Sequence, residues 1–174
     1  SEKERIEDVI RRIEKVLKES RDEADRVKKE IEKRLRELEK RHKEVTTEVK
    51  RVAEEVKDNE EVLKEIEDAL RENERMVEDV RRLVEDILRK LDKFMRESEE
   101  LVRRIVKRLE DLLRNNGDSE TVLREAEELL RRVKKHSKEV LDRVRELLKR
   151  VEEKSERVLR ELERVLREIR EKAR

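Results

Sequence analysis

The sequence of 174 residues has no cysteine, proline, tryptophan, tyrosine or glutamine, one glycine and one phenylalanine. Without cysteine there is no disulfide framework, thiolate nucleophile or zinc finger, and the redox compartment stays open. Long apolar runs are missing too, since no uninterrupted apolar stretch exceeds two residues. A membrane-spanning helix needs ~20 apolar residues and a signal peptide an apolar core of ~7 to 15. A soluble chain with no targeting signal and no membrane partner is therefore expected, its compartment unassigned. Charge of one sign is also absent: 51 Lys and Arg are interleaved with 50 Asp and Glu, for a net charge of +1. No electropositive stripe is left to collect phosphates, which excludes nucleic acid as a partner.

What remains is 58% charged and 33% apolar residues, and the order of the two is regular. Disordered chains share the charge and the shortage of aromatics, but they carry a large net charge and lack apolar periodicity. The only clusters of turn formers, Asp58-Asn59 and Asn115-Asn116-Gly117-Asp118-Ser119, divide the chain into thirds. Gly117 is placed to take the left-handed conformation that ends a helix, and Asp118 or Ser119 to accept from the first free N–H groups of the next. Ser1 with Glu4 and Asp58 with Glu61 have capping-box spacing. The expectation is a single bundle over residues 1–174, with helices at about 2–57, 60–114 and 119–173, each ~80 Å long at 1.5 Å per residue.

Within each third the apolar residues recur at alternating steps of three and four: Ile6, Ile10, Ile13 and Leu17 in the first, Val80, Val84, Ile87 and Leu91 in the second, Val140, Val144, Leu147 and Val151 in the third. This is coiled-coil periodicity. Extra apolar residues such as Val16, Leu83 and Leu148 widen the stripe toward the three-in-seven face of a helix packed against two neighbours. The fold class is all-α, an antiparallel three-helix bundle with coiled-coil-like packing. Short connections make consecutive helices antiparallel neighbours, so facing residues should have numbers totalling about 117 across the first turn and about 233 across the second. Ala24 and Phe94, the smallest core residue and the largest, total 118, the complementarity of a packed layer.

A few polar residues interrupt the stripes. Ser20, Ser98, Ser137 and Ser155 fall on or beside core positions, as do Asn73, His42 and His136, with Thr46 one turn beyond His42. Numbering groups them into one layer of Ser20, Ser98 and His136 or Ser137, and a second of His42, Thr46 and Asn73, with Ser155 about one turn out of step. Hydroxyl, amide and imidazole groups both donate and accept, so such layers can close as a buried structural network. Their effect would be register: a layer matched only in one pairing penalises slipped packings.

Chemistry-bearing alternatives fare worse. Two histidines in different layers without a carboxylate motif do not make a metal site. Adjacent His136-Ser137 has the residue types of a catalytic pair, but helix neighbours point ~100° apart and nothing is placed to orient the imidazole. No catalytic residue, cofactor site or metal site is expected, and Phe94, Met76 and Met95 read as core filling. The charges read as a solvated face with i to i+4 pairs.

Taken over all 174 residues, the chain resembles de novo designed helical bundles. The resemblance rests on Glu, Arg, Lys and Asp outside, Leu, Ile and Val inside, equal helix lengths, and idealised turns such as Asp58-Asn59-Glu60-Glu61. It implies a structural scaffold with no natural biochemical function, and bundles of this class with core Ser, Asn, Thr and His resemble those carrying engineered hydrogen-bond networks. Spectrin-like repeats fit less well because their core aromatics are missing. The alternative is an oligomerisation or partner-binding module, in which the helices associate with further copies or a helical partner chosen by the polar layers. A third reading is a pH response through His42 and His136, since a buried imidazole resists charging.

Overall fold

The first two helices begin where side chains take up free N–H groups. In the computed structural model, which describes residues 1–115 and 118–172, the chain forms α1 (Glu2–Ala53), a 3₁₀ turn (Glu54–Val56), α2 (Glu60–Asn115) and α3 (Ser119–Lys172). The Ser1 hydroxyl accepts from the Glu4 N–H at 3.4 Å, one arm of a capping box, and the Glu4 carboxylate pairs with the Ser1 nitrogen at 3.8 Å. Glu2 and Glu4, Glu60 and Glu61, and Glu120 occupy first turns; Lys50 and Arg51, Arg114, and Arg170 and Lys172 occupy last turns. Each sign complements the helix dipole.

The first connection departs from the sequence expectation. α1 tightens into its 3₁₀ turn four residues short of position 57, and the Asn59 N–H closes that turn on the Val56 carbonyl at 3.0 Å. Asn59 is then the last residue before α2, and its side-chain oxygen accepts from the Val62 N–H at 3.2 Å. The cap is Asn59 rather than Asp58, because the 3₁₀ turn carries the chain one residue further before the helix resumes. The proposed helix-ending role of Gly117, and position 173, lie outside the described residues.

The three helices pack against one another pairwise, with no strand among the described residues. They contribute to two compact units: Ser1–Lys28 with Leu88–Arg145, and Lys29–Ile87 with Glu146–Arg174. In the first unit a core of Ile6, Ile13, Val102, Leu109, Leu123 and Ala126 fills the interior, and Leu109 is fully buried. In the second, Val49, Val52, Ile66, Leu162, Val165 and Ile169 do the same, with Val49 and Leu162 fully buried. Among the described residues no large apolar side chain is exposed. No helix among them is long and apolar enough to cross a membrane.

Ion pairs between helices record the pairing in each unit. In the first, Arg21 meets Glu99 at 2.7 Å and Lys28 meets Asp92 at 3.7 Å; in the second, Arg81 meets Glu39 at 3.2 Å. The numbers of each pair total 120, which makes α1 and α2 antiparallel. α1 and α3 are parallel, with Glu23 paired to Arg145 in the first unit and Glu48 to Arg170 in the second. The α1–α2 total exceeds the expected 117 for a geometric reason. Helical side chains lean toward their own N-terminus by about one position. In an antiparallel pair, residues that meet therefore lie further along both helices than residues at equal height.

Candidate functional site

The residues that could do more than pack are the polar ones set into the apolar interior. In the first unit Ser20 and Ser137 are buried, and their hydroxyls lie 2.9 Å apart across α1 and α3, each able to donate to the other. Ser98 of α2 is buried in the same unit.

His136 does not join that interior. It is exposed, and its ring lies against Phe94 with centroids 5.4 Å apart and planes tilted by 57°. Successive residues of a helix point ~100° apart, so only one of His136 and Ser137 can face inward. The small hydroxyl takes the place opposite Ser20, and the imidazole is left to cover the Phe94 ring at the edge. Of the two positions the sequence allowed, on the core or beside it, His136 takes the second. His136 and Ser137 accordingly face different surroundings, the serine bonded within the interior and the imidazole at the surface.

His136 and Phe94, with Ser98, Leu101, Leu129 and Val133, line an open-sided groove between α2 and α3 of about 290 Å³. Its charged lining residues are paired along their own helices: Arg132 donates to Glu128 at 2.9 Å and Glu97 meets Lys93 at 4.0 Å.

In the second unit Asn73 is 1% exposed, and its Nδ2 donates to the Val158 carbonyl of α3 at 2.9 Å. The amide thus reaches the α3 backbone rather than a side chain. Ser155 is half-buried and donates to the Val151 carbonyl one turn earlier on its own helix at 2.6 Å. That bond stays within α3 and joins no second helix. His42 and Thr46 are half-buried; His42 Nε2, Thr46 Oγ1 and Asn73 Oδ1 are enclosed without a hydrogen-bond partner. The eight polar residues therefore divide four and four: Ser20, Ser98, His136 and Ser137 in one unit, His42, Thr46, Asn73 and Ser155 in the other.

Among the described residues no group of three or more histidine, aspartate or glutamate side chains is arranged to hold a metal ion. Among the described residues, Glu48 of α1 is strongly perturbed. Hydrogen bonds from Arg51, and then from Arg170 of α3 at 2.9 Å, pull its carboxyl from the ordinary 4.5 to about 2. Glu23 is likewise lowered, first by the Arg26 hydrogen bond and also by Arg145. These carboxylates clamp α1 to α3 from outside the core. Composition hid them among the other charges, and only the pairing register identifies them. No protein-family model, curated protein or solved structure matches this chain.

Proposed function

We propose that the chain is a designed structural scaffold with no natural biochemical activity, whose buried polar residues specify helix register. The observation that carries this reading is coverage: among the described residues every large apolar side chain is at least partly buried, while four polar ones, Ser20, Asn73, Ser98 and Ser137, are buried with them. An interior built for stability alone has no use for those four, because apolar replacements pack as well without desolvating a polar group. Their contribution on this reading is to match in one pairing only, and the Ser20–Ser137 bond, side chain to side chain across two helices, supports it.

The test replaces all four with apolar residues, Ser20→Ala, Asn73→Leu, Ser98→Ala and Ser137→Ala. The expected product remains helical and at least as resistant to denaturant, but its methyl NMR spectrum splits into several sets as alternative registers become populated. A single set with unchanged contacts between helices would overturn the reading.

A second reading, a partner-binding module, has one observation in its favour: the open-sided groove beside Phe94 and His136. Oligomeric mass separates an assembly module from a self-contained scaffold.

A further inference from the structure

The groove between α2 and α3 of the first unit is a place where a small residue stands among larger ones. On α2 its lining runs Phe94, Ser98 and Leu101, and on α3 Leu129, Val133 and His136. Each set is spaced by three or four along its helix, so each shares one face. Phe94 is buried, and Leu101, Leu129 and Val133 are half-buried. Serine is the smallest of the six, and between Phe94 and Leu101 it gives up the volume that an apolar residue of their size would fill. The cavity left is about 290 Å³.

Ser98 also brings a hydroxyl without a protein partner. Ser20 and Ser137 bond to each other at 2.9 Å, whereas among the described residues none bonds to the Ser98 hydroxyl, although the residue is only 8% exposed. Nearly buried hydroxyl groups are almost always paired, and the space open to a partner here is the groove that Ser98 lines. Water can supply the bond but gains nothing from the apolar side chains around it, which call for an apolar body.

The remaining lining residues set the charge and shape of the occupant. Arg132 is paired with Glu128 at 2.9 Å and Glu97 with Lys93 at 4.0 Å, each along its own helix. A charged guest would lose hydration there without meeting an unpaired counter-ion, and an uncharged one would not. The rings of Phe94 and His136, with centroids 5.4 Å apart and planes tilted by 57°, favour a further ring, which can meet either one offset or edge-on. In size the groove lies at the lower end of ligand pockets, ~300 to 1,000 Å³. It has room for one or two rings, not for the row of side-chain anchors that a docking helix inserts.

We infer that this groove is a binding site for a small uncharged aromatic molecule carrying one hydroxyl, a phenol. Its ring lies among Phe94, Leu101, Leu129 and Val133, and its hydroxyl bonds to that of Ser98. Each hydroxyl both donates and accepts, so the pair closes in either direction. The site adds a ligand to the scaffold and does not depend on how register is specified.

The experiment is titration of the full chain with phenol, and separately with toluene, at mildly alkaline pH, followed by methyl NMR. Phenol is expected to give saturable shifts at the Leu101, Leu129 and Val133 methyls and none at Val49 of the second unit. Ser98→Ala, which keeps the groove and removes the hydroxyl, weakens phenol about fivefold, the loss of one net hydrogen bond, and leaves toluene no weaker. Ser98→Leu fills the groove and abolishes both, with unshifted Val49 methyls reporting that the chain is still folded. No saturable shift with phenol, shifts spread over both units, or phenol binding indifferent to Ser98→Ala overturns the assignment. So does movement of the same methyls when the concentration of the protein alone is raised, because a second copy then fills the groove.

Discussion

Ser20 and Ser137 are 117 positions apart in the chain and 2.9 Å apart in space, hydroxyl to hydroxyl, in the interior of the first unit. Each serine is the other's bonding partner across α1 and α3, so removing one leaves the other buried and unsatisfied. Ser20→Ala or Ser137→Ala alone is expected to cost about 1–3 kcal/mol, and the double replacement less than the sum of the two. Urea denaturation of the four proteins in this cycle measures the coupling; strictly additive costs would contradict the pairing.

Asn73 donates one N–H to the Val158 carbonyl from a position 1% exposed. Asn73→Asp removes that donor and sets a carboxylate in the interior, at an expected cost of about 3–5 kcal/mol at neutral pH. Burial raises the folded-state value of the introduced acid above its unfolded value, so acidification restores stability as the group takes up its proton. Denaturation midpoints at neutral and mildly acidic pH check the sign: the difference from the parent chain should shrink as pH falls.

The helices were legible in the sequence because 3.6-residue periodicity and three marked starts are properties of the chain read locally. The register was legible to within a few residues for the same reason, since two short turns leave little freedom to slide. Finer features depend on quantities the pattern does not carry. The cap moved from Asp58 to Asn59 because α1 ends in a 3₁₀ turn, which periodicity does not distinguish from an α-turn. His136 and Ser137 could not be ranked from position alone; which of the two faced inward depended on the room opposite Ser20. Asn73 chose a main-chain carbonyl over Ser155, a partner that no residue pattern displays. The numbering placed Ser20, Ser98 and His136 or Ser137 in one layer and His42, Thr46 and Asn73 in another, and the residues of each layer lie within one unit.

Core and surface should differ sharply in what one substitution does. Leu109 and Leu162 are fully buried, one in each unit, and Leu→Ala at either is expected to cost about 2–5 kcal/mol. Lys28→Ala, which removes a partly exposed partner of Asp92 at 3.7 Å, should cost less than about 1 kcal/mol. Thermal or urea unfolding ranks the three; a surface loss as large as the core losses would mean that ion pairs, not packing, hold the units.

Acid should act through the clamping carboxylates. Glu48 has a folded-state value of about 2 against an ordinary 4.5, set first by the Arg51 hydrogen bond and then by that of Arg170. A lowered value means that the contribution is fully present above the ordinary range and is lost as pH falls from about 4.5 toward 2. Glu48→Gln should flatten that part of the stability profile and leave a residual slope from Glu23 and Glu161, which are also lowered. An unaltered slope across that window would show that the carboxylate of Glu48 does not contribute.

The self-contained scaffold is tested most directly by sedimentation equilibrium over a wide range of protein concentration at neutral pH. A self-contained bundle gives a mass of 21.4 kDa that does not change with concentration. A mass rising toward an integer multiple of that value would contradict it and make the chain an assembly module.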